Sequence, residues 1–227
     1  MTTTLPENKD KNSAAPTTKT VATEKKSFAT SNDIKLIIVG NVGSGKTTSI
    51  NLISEIPVIG SEAAASERDA LHRKKTTTVA MEYGLMTMQR TKLHLYGTPG
   101  QRRFDFMASI ICKGSSGMIV MIDNGCNDPL GELDYFLKLH ADFLKKHPAI
   151  LAITHCDDIR TTTSLIDYHV YAMKNGFEIP VMRLDAREKS QVKAVVLKLL
   201  IAIIRKKAAE KKAEKPMRDS EARQANM

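Results

Sequence analysis

The residues with the plainest chemical purpose are Gly40-Asn41-Val42-Gly43-Ser44-Gly45-Lys46-Thr47, which fit the spacing G-x-x-x-x-G-K-[ST]. Gly40, Gly43 and Gly45 let the backbone curl until successive amide N–H groups face one anionic group. A helix beginning near Lys46 adds the positive end of its dipole. In that arrangement Lys46 reaches the β and γ phosphates of a nucleoside polyphosphate and the Thr47 hydroxyl takes Mg²⁺, with Thr48 completing the run expected to touch the nucleotide. The flanks are those the mechanism requires: the apolar run Ile34–Val39 comes before, and Thr47–Ile56 follows with helical spacing. A turn of purely structural purpose has no need of Lys-Thr at its end.

Such a cradle must sit at the end of a buried strand, and the rest of the chain supplies a sheet to bury it. Strands are predicted at Ile34–Val39, Val79–Met88, Lys92–Tyr96, Gly117–Asp123, Ala149–Thr154 and Pro180–Leu184, with a Gln89-Arg90-Thr91 turn between the second and third. The later strands are apolar without strict alternation, as expected where both faces of a sheet are covered. Helices are predicted over Thr47–Ile56, Arg102–Cys112, Gly131–Lys146, Ser164–Asn175 and Glu188 to about Ala209. In the last of these Val195, Val196, Leu199 and Ile203 form one apolar stripe. The fold class is therefore α/β, a three-layer P-loop domain with a six-stranded, mostly parallel sheet and one antiparallel hairpin.

The domain is expected to span residues 33–207. Residues 1–32, rich in Thr, Lys, Ser and Ala, have almost nothing to bury and are expected to be a disordered tail, and residues 208–227 form a basic C-terminal tail. Of the net charge of +9 over 227 residues, +2 falls in residues 1–32 and +4 in residues 205–227. The globular part thus offers no compositional case for specific nucleic-acid binding. Cys112, Cys126 and Cys156, with no C-x-x-C pair, exclude a disulfide framework or a four-cysteine zinc site. The longest apolar run, Val195–Ile204, contains Lys198 and falls well short of the ~20 residues that span a bilayer. Together these point to a cytoplasmic protein.

After the third strand comes Tyr96-Gly97-Thr98-Pro99-Gly100-Gln101. Here the chain resembles the Ras-like GTPases, whose third strand ends in D-x-x-G-Q. The resemblance implies that the Gly100 amide senses the γ-phosphate and that Gln101 orients the attacking water. The wording YGTPGQ resembles a bacterial subgroup related to the gliding-motility and polarity GTPases, which also lacks the leading aspartate, replaced here by Gly97. Asp123 is the nearest substitute for the metal, or else a turn former before Asn124-Gly125. Thr-Val-Ala-Met-Glu-Tyr-Gly (residues 78–84) is similar to the segment after the switch threonine, which selects Thr78 as a second metal ligand with Thr77 in reserve; the threonines also suit a plain strand. Arg73 is a candidate cis finger, or a solvated loop charge.

Guanine selection in this family uses N-K-x-D, and the matching segment is Thr154-His155-Cys156-Asp157. The resemblance implies that Asp157 pairs with the base edge while His155, in place of lysine, lies flat on the purine. Asp185-Ala186-Arg187 resembles the S-A-K turn whose amide, here that of Ala186, contacts the guanine oxygen; Asp185 also suits a helix N-cap. What the resemblance implies overall is a switch that binds GTP and GDP with Mg²⁺ and hydrolyses GTP slowly. Activating and exchange proteins, roadblock-type proteins among them, and an effector would be its partners. The basic tail is read as a solvated end or as a weak membrane-surface contact. A nucleotide-binding interaction module with little hydrolysis and an ATP-using P-loop protein are the alternatives.

Overall fold

β1 (Ile34–Val39) carries apolar side chains on both sides of its backbone, and that decides the architecture. Leu36 and Ile38 face one way, Ile37 and Val39 the other, and all four are buried. A strand with two dry faces needs helices on both. In the computed structural model, which describes residues 33–60, 81–157 and 163–224, it has them. The N-terminal tail expected to be disordered lies outside the described residues.

After β1 come α1 (Lys46–Ile53), the hairpin β2 (Glu82–Met88) and β3 (Thr91–Gly97), and a 3₁₀ turn over Arg102–Met107 leading into α2 (Ala108–Cys112). Then follow β4 (Gly117–Asp123), α3 (Pro129–Leu139), α4 (Ala141–Leu144), β5 (Ala149–Thr154), α5 (Leu165–Lys174), β6 (Val181–Arg183) and α6 (Lys189–Gln224). The strands form one six-stranded sheet in the order β2-β3-β1-β4-β5-β6. Only the β2–β3 pair is antiparallel. This is the α/β sheet with one hairpin expected from the sequence.

One face of the sheet, with Leu36, Ile38, Leu93, Leu95 and Met121, packs on Ile50 and Ile53 of α1 and on the α6 stripe Val192, Val195, Val196, Leu199 and Ile203. The other, with Ile37, Val39, Val120, Ile122 and Ile153, packs on Leu133, Phe136 and Leu137 of α3 and on Tyr168 and Ala172 of α5. No helix among the described residues is long and apolar enough to cross a membrane.

Several boundaries differ from the sequence reading. The hairpin turn has two residues, Gln89 and Arg90, both at positive φ, and Thr91 already pairs with Met88. The helix expected to run from Arg102 to Cys112 opens as a 3₁₀ turn. The helix expected from Gly131 begins earlier, at Pro129, because Asp128 caps it by accepting a hydrogen bond from the Gly131 amide at 2.9 Å and proline suits a first helical position. It breaks at His140, whose carbonyl accepts from the amides of Phe143 and Leu144. α6 runs beyond the expected end near Ala209, to Gln224.

His140 is only 5% exposed. Its ring stacks on Phe136, its Nδ1 lies 3.9 Å from Cys112 Sγ, and burial pushes its pKa down to about 4. The unfolded imidazole protonates near its ordinary value of about 6.5, so between that pH and 4 the unfolded chain binds more protons and acid favours it. We expect this residue's contribution to be complete above about pH 6.5 and to fall by about 3 kcal/mol as the pH drops to 4. Urea midpoints across that range should fall steeply for the parent and less steeply for His140→Phe.

Candidate nucleotide-binding site

The turn from β1 into α1 is held open by glycine geometry. Gly43 and Gly45 adopt φ of 89° and 93°, values that L side chains rarely reach. Space is short as well: a Cβ at Gly45 would lie 2.7 Å from Cβ of Ala186, and one at Gly40 would lie 2.4 Å from the Met121 carbonyl oxygen. Lys46, the first residue of α1, is buried and curls back so that its Nζ donates to the carbonyls of Gly40 and Asn41 at 2.8 and 2.7 Å. No acidic residue occupies the first turn of α1 to offset the dipole. The Ser44 hydroxyl is buried without a hydrogen-bond partner among the described residues, an orphaned polar atom of the kind a ligand in the cradle would satisfy.

Two further elements brace the turn. The Thr154 hydroxyl, at the end of β5, donates towards the carbonyls of Ser44 and Ile122, each at 3.2 Å. Below Asn41, Glu132 of α3 is buried; burial raises its pKa, while hydrogen bonds from Asn41 and Cys126 oppose that shift. Sequence reasoning passed over Glu132, because nothing in its local pattern distinguishes it from a helix surface residue.

The loop after β3 lies against the cradle. A Cβ on Gly100 would fall 2.5 Å from the Val42 amide nitrogen and 3.0 Å from Lys46 Nζ, so only glycine fits at this distance. Gln101 follows and is exposed, as is Val42. The neighbouring Arg102 guanidinium stacks over the Tyr135 ring at 4.2 Å. Thr78, its reserve Thr77 and Arg73 lie outside the described residues.

On the other side of Gly45 a cleft of about 280 Å³ opens between the ends of β5 and β6, lined by Gly43, Thr48, His155, Asp157 and Ala186 among others. Asp157 is largely exposed and pairs with Arg183 of β6. His155 stands at a φ of 52° and its Nδ1 lies 2.8 Å from Asp123 Oδ1. Asp123 also accepts from the Gly125 amide at 2.8 Å, so it builds the turn after β4, and of its two sequence readings the turn role is the one its contacts support. Asp185 accepts from the Arg187 amide and guanidinium. These bonds hold its pKa down at about 2. Its side chain thus closes its own turn rather than capping α6, and that turn sets Ala186 against Gly45.

The oxygen donors suited to magnesium meet at the start of α1, where the Thr47 hydroxyl donates to the Glu82 carboxylate of β2. Hard oxygen ligands, few from protein and the rest from phosphate and water, are what this cation takes. Glu82 was not among the residues singled out in the sequence; it is 35 positions from Thr47 and only strand pairing brings the two together.

Comparison with known proteins places the chain in a family. Residues 58–194 match the model of the family described as conserved hypothetical ATP binding proteins, and the chain belongs to that family. The uncharacterized protein MJ1339 of Methanocaldococcus jannaschii is 34% identical over 92 residues, which cover 40% of this chain and 51% of that protein. The Ras-related protein Rab-18 of Lymnaea stagnalis is 23% identical over 121 residues, 52% of this chain and 54% of that protein. The chain thus spans about half the length of the curated relatives it matches. With the cradle, this makes the protein a P-loop nucleotide-binding protein.

Gly45→Ala is expected to weaken nucleotide binding about 10- to 100-fold, because it combines backbone strain of roughly 1–3 kcal/mol with a collision at Ala186. Gly43→Ala meets open space and should weaken it less. Calorimetric titration of both variants with GTP and with ATP checks the order.

Proposed function

We propose that the protein is a GTP-operated switch that hydrolyses GTP to GDP and phosphate. The observation that carries this reading is the approach of Gly100 to Lys46 and to the Val42 amide. A loop this close to the lysine that grips the terminal phosphates has to move when that phosphate arrives or departs, and such movement is what a switch transmits. The likeness to Rab-18 supports the same reading. The more specific likeness to bacterial polarity GTPases rests on the YGTPGQ wording alone.

In the proposed reaction the amides from Gly40 to Thr47 and the Lys46 ammonium hold the polyphosphate, and Gln101 orients a water for attack on the terminal phosphorus. Bound through Thr47, and through Thr78 from the segment before β2, magnesium would neutralise charge on the β and γ phosphates. No covalent enzyme intermediate is needed; positioning and charge do the work. Thr154, His155 and Asp157 would line the base, with Ala186 beneath it. Asp157 is an acceptor suited to the two N–H donors on the guanine edge, whereas adenine offers an acceptor at that ring nitrogen. An activating protein and an exchange factor, roadblock-type proteins among the candidates, would set the timing, and an effector would read the state. The basic turns of α6 are assigned as a solvated end, with a salt-sensitive contact to an anionic surface as the second role.

The family description favours a second reading, in which the protein uses ATP. Chromatography of the heat-released ligand and competition between GTP and ATP decide between the two. We expect GTP to win, and Asp157→Ala to lower GTP affinity about 10- to 100-fold, since hydrogen bonds to a charged acceptor contribute roughly 1.5–3 kcal/mol. ATP affinity should hardly change in that variant, while Lys46→Ala should lose both nucleotides. ATP binding as tight as GTP in the parent would overturn the guanine assignment and leave the cradle standing.

A further inference from the structure

The third strand lacks the acid that the Ras-like pattern places at its end. Position 97 is glycine, and a triphosphate site that uses a divalent cation is then short of one negative charge. The β2–β3 register sets Glu82 directly opposite Gly97, and side chains so paired compete for one patch of the sheet surface. Here the competition has been settled in favour of residue 82. A Cβ built on Gly97 would stand 2.7 Å from Oε2 of Glu82, 3.2 Å from its Cβ, and 2.8 Å from Cδ1 of Ile50. The carboxylate therefore occupies the volume into which a side chain at position 97 would project. Its Oε1 accepts a hydrogen bond from the Thr47 hydroxyl, the side chain next to the phosphate lysine. A hydroxyl that spends its proton on a carboxylate keeps its lone pairs for a cation.

We propose that Glu82 is the carboxylate of the magnesium site, delivered from β2 in place of the missing acid of β3. The assignment rests on the nucleotide reading given above and deepens it. Magnesium is held by one or two carboxylates together with substrate phosphates and water, and Thr47 with Glu82 forms an oxygen pair of that kind at the foot of the cradle. Asp123 is committed elsewhere, to the Gly125 amide and to His155. The glycine at 97 is thus a condition for the relocated acid, because any larger residue there would collide with it.

The test uses the full chain and follows dissociation of fluorescent GDP and ADP analogues as magnesium is raised. In the parent, release of the bound analogue should slow with magnesium. In Glu82→Gln the half-effective magnesium concentration should rise about tenfold or more, beyond any change in affinity measured in EDTA, a comparison that separates loss of the metal from damage to the fold. Moving the acid back with the double variant Glu82→Gly/Gly97→Asp should recover most of the parent's magnesium response. An unchanged half-effective concentration in Glu82→Gln would overturn the proposal, and so would a parent whose nucleotide release ignores magnesium. Should circular dichroism show Glu82→Gln unfolded, the double variant and Glu82→Ala decide: a folded double variant with the parent's response supports the assignment, and parent-like magnesium dependence in Glu82→Ala overturns it. A parent that binds neither analogue would sink the nucleotide reading itself, a different failure.

Discussion

A buried ammonium is tolerable only where oxygen surrounds it, and the position of Lys46 constrains most of what lies around it. Its charge is held by two carbonyls of the loop that precedes it, which can turn inward only because the glycines around them accept backbone angles closed to other residues. A curled loop that opens a helix concentrates positive potential of the kind a polyphosphate can neutralise. Thr154 braces the loop from β5, Glu132 from α3 and Ala186 from the β6 end. Three separate elements, distant in sequence, therefore brace the loop that holds one lysine.

How much of this could be read from the chain depended on distance along it. The cradle is a local object, and its eight residues declared themselves by type and spacing. The sheet was legible because strands buried on both faces are apolar throughout. The start of α3 was also within reach, since Asp128 and Pro129 form a cap and first turn that the apolar spacing alone overlooks. What stayed hidden depends on register or on pairing across the fold. Gln89-Arg90 lacks the Asn-Gly or Asp-Gly signature of a tight hairpin turn, so its two-residue length could not be inferred. The meeting of Glu82 with Thr47, and of Asp157 with Arg183, needs neighbouring strands to be placed first.

The choice of base illustrates why family descriptions and site chemistry carry different weights. The matched region, residues 58–194, begins after the phosphate cradle, so the likeness concerns the β2–β3 hairpin, the core and the cleft between β5 and β6. Within that region Asp157 is the acid to which the proposed guanine reading assigns the base edge. Its pairing with Arg183 tempers the field it projects without removing its lone pairs, and the exposure of both side chains means that water screens the ion pair. A ligand entering the cleft can therefore meet this carboxylate without first breaking a buried salt bridge.

The last helix outlives its own packing. Among the side chains described, Ile203 is the last buried residue of its stripe, yet the helix continues to Gln224, a stretch of about 30 Å at roughly 1.5 Å per residue. Electrostatic influence decays over about 8 Å at physiological ionic strength. The end of the helix thus stands several such lengths beyond Ile203, so a change of charge there is screened from the packed part of the same helix.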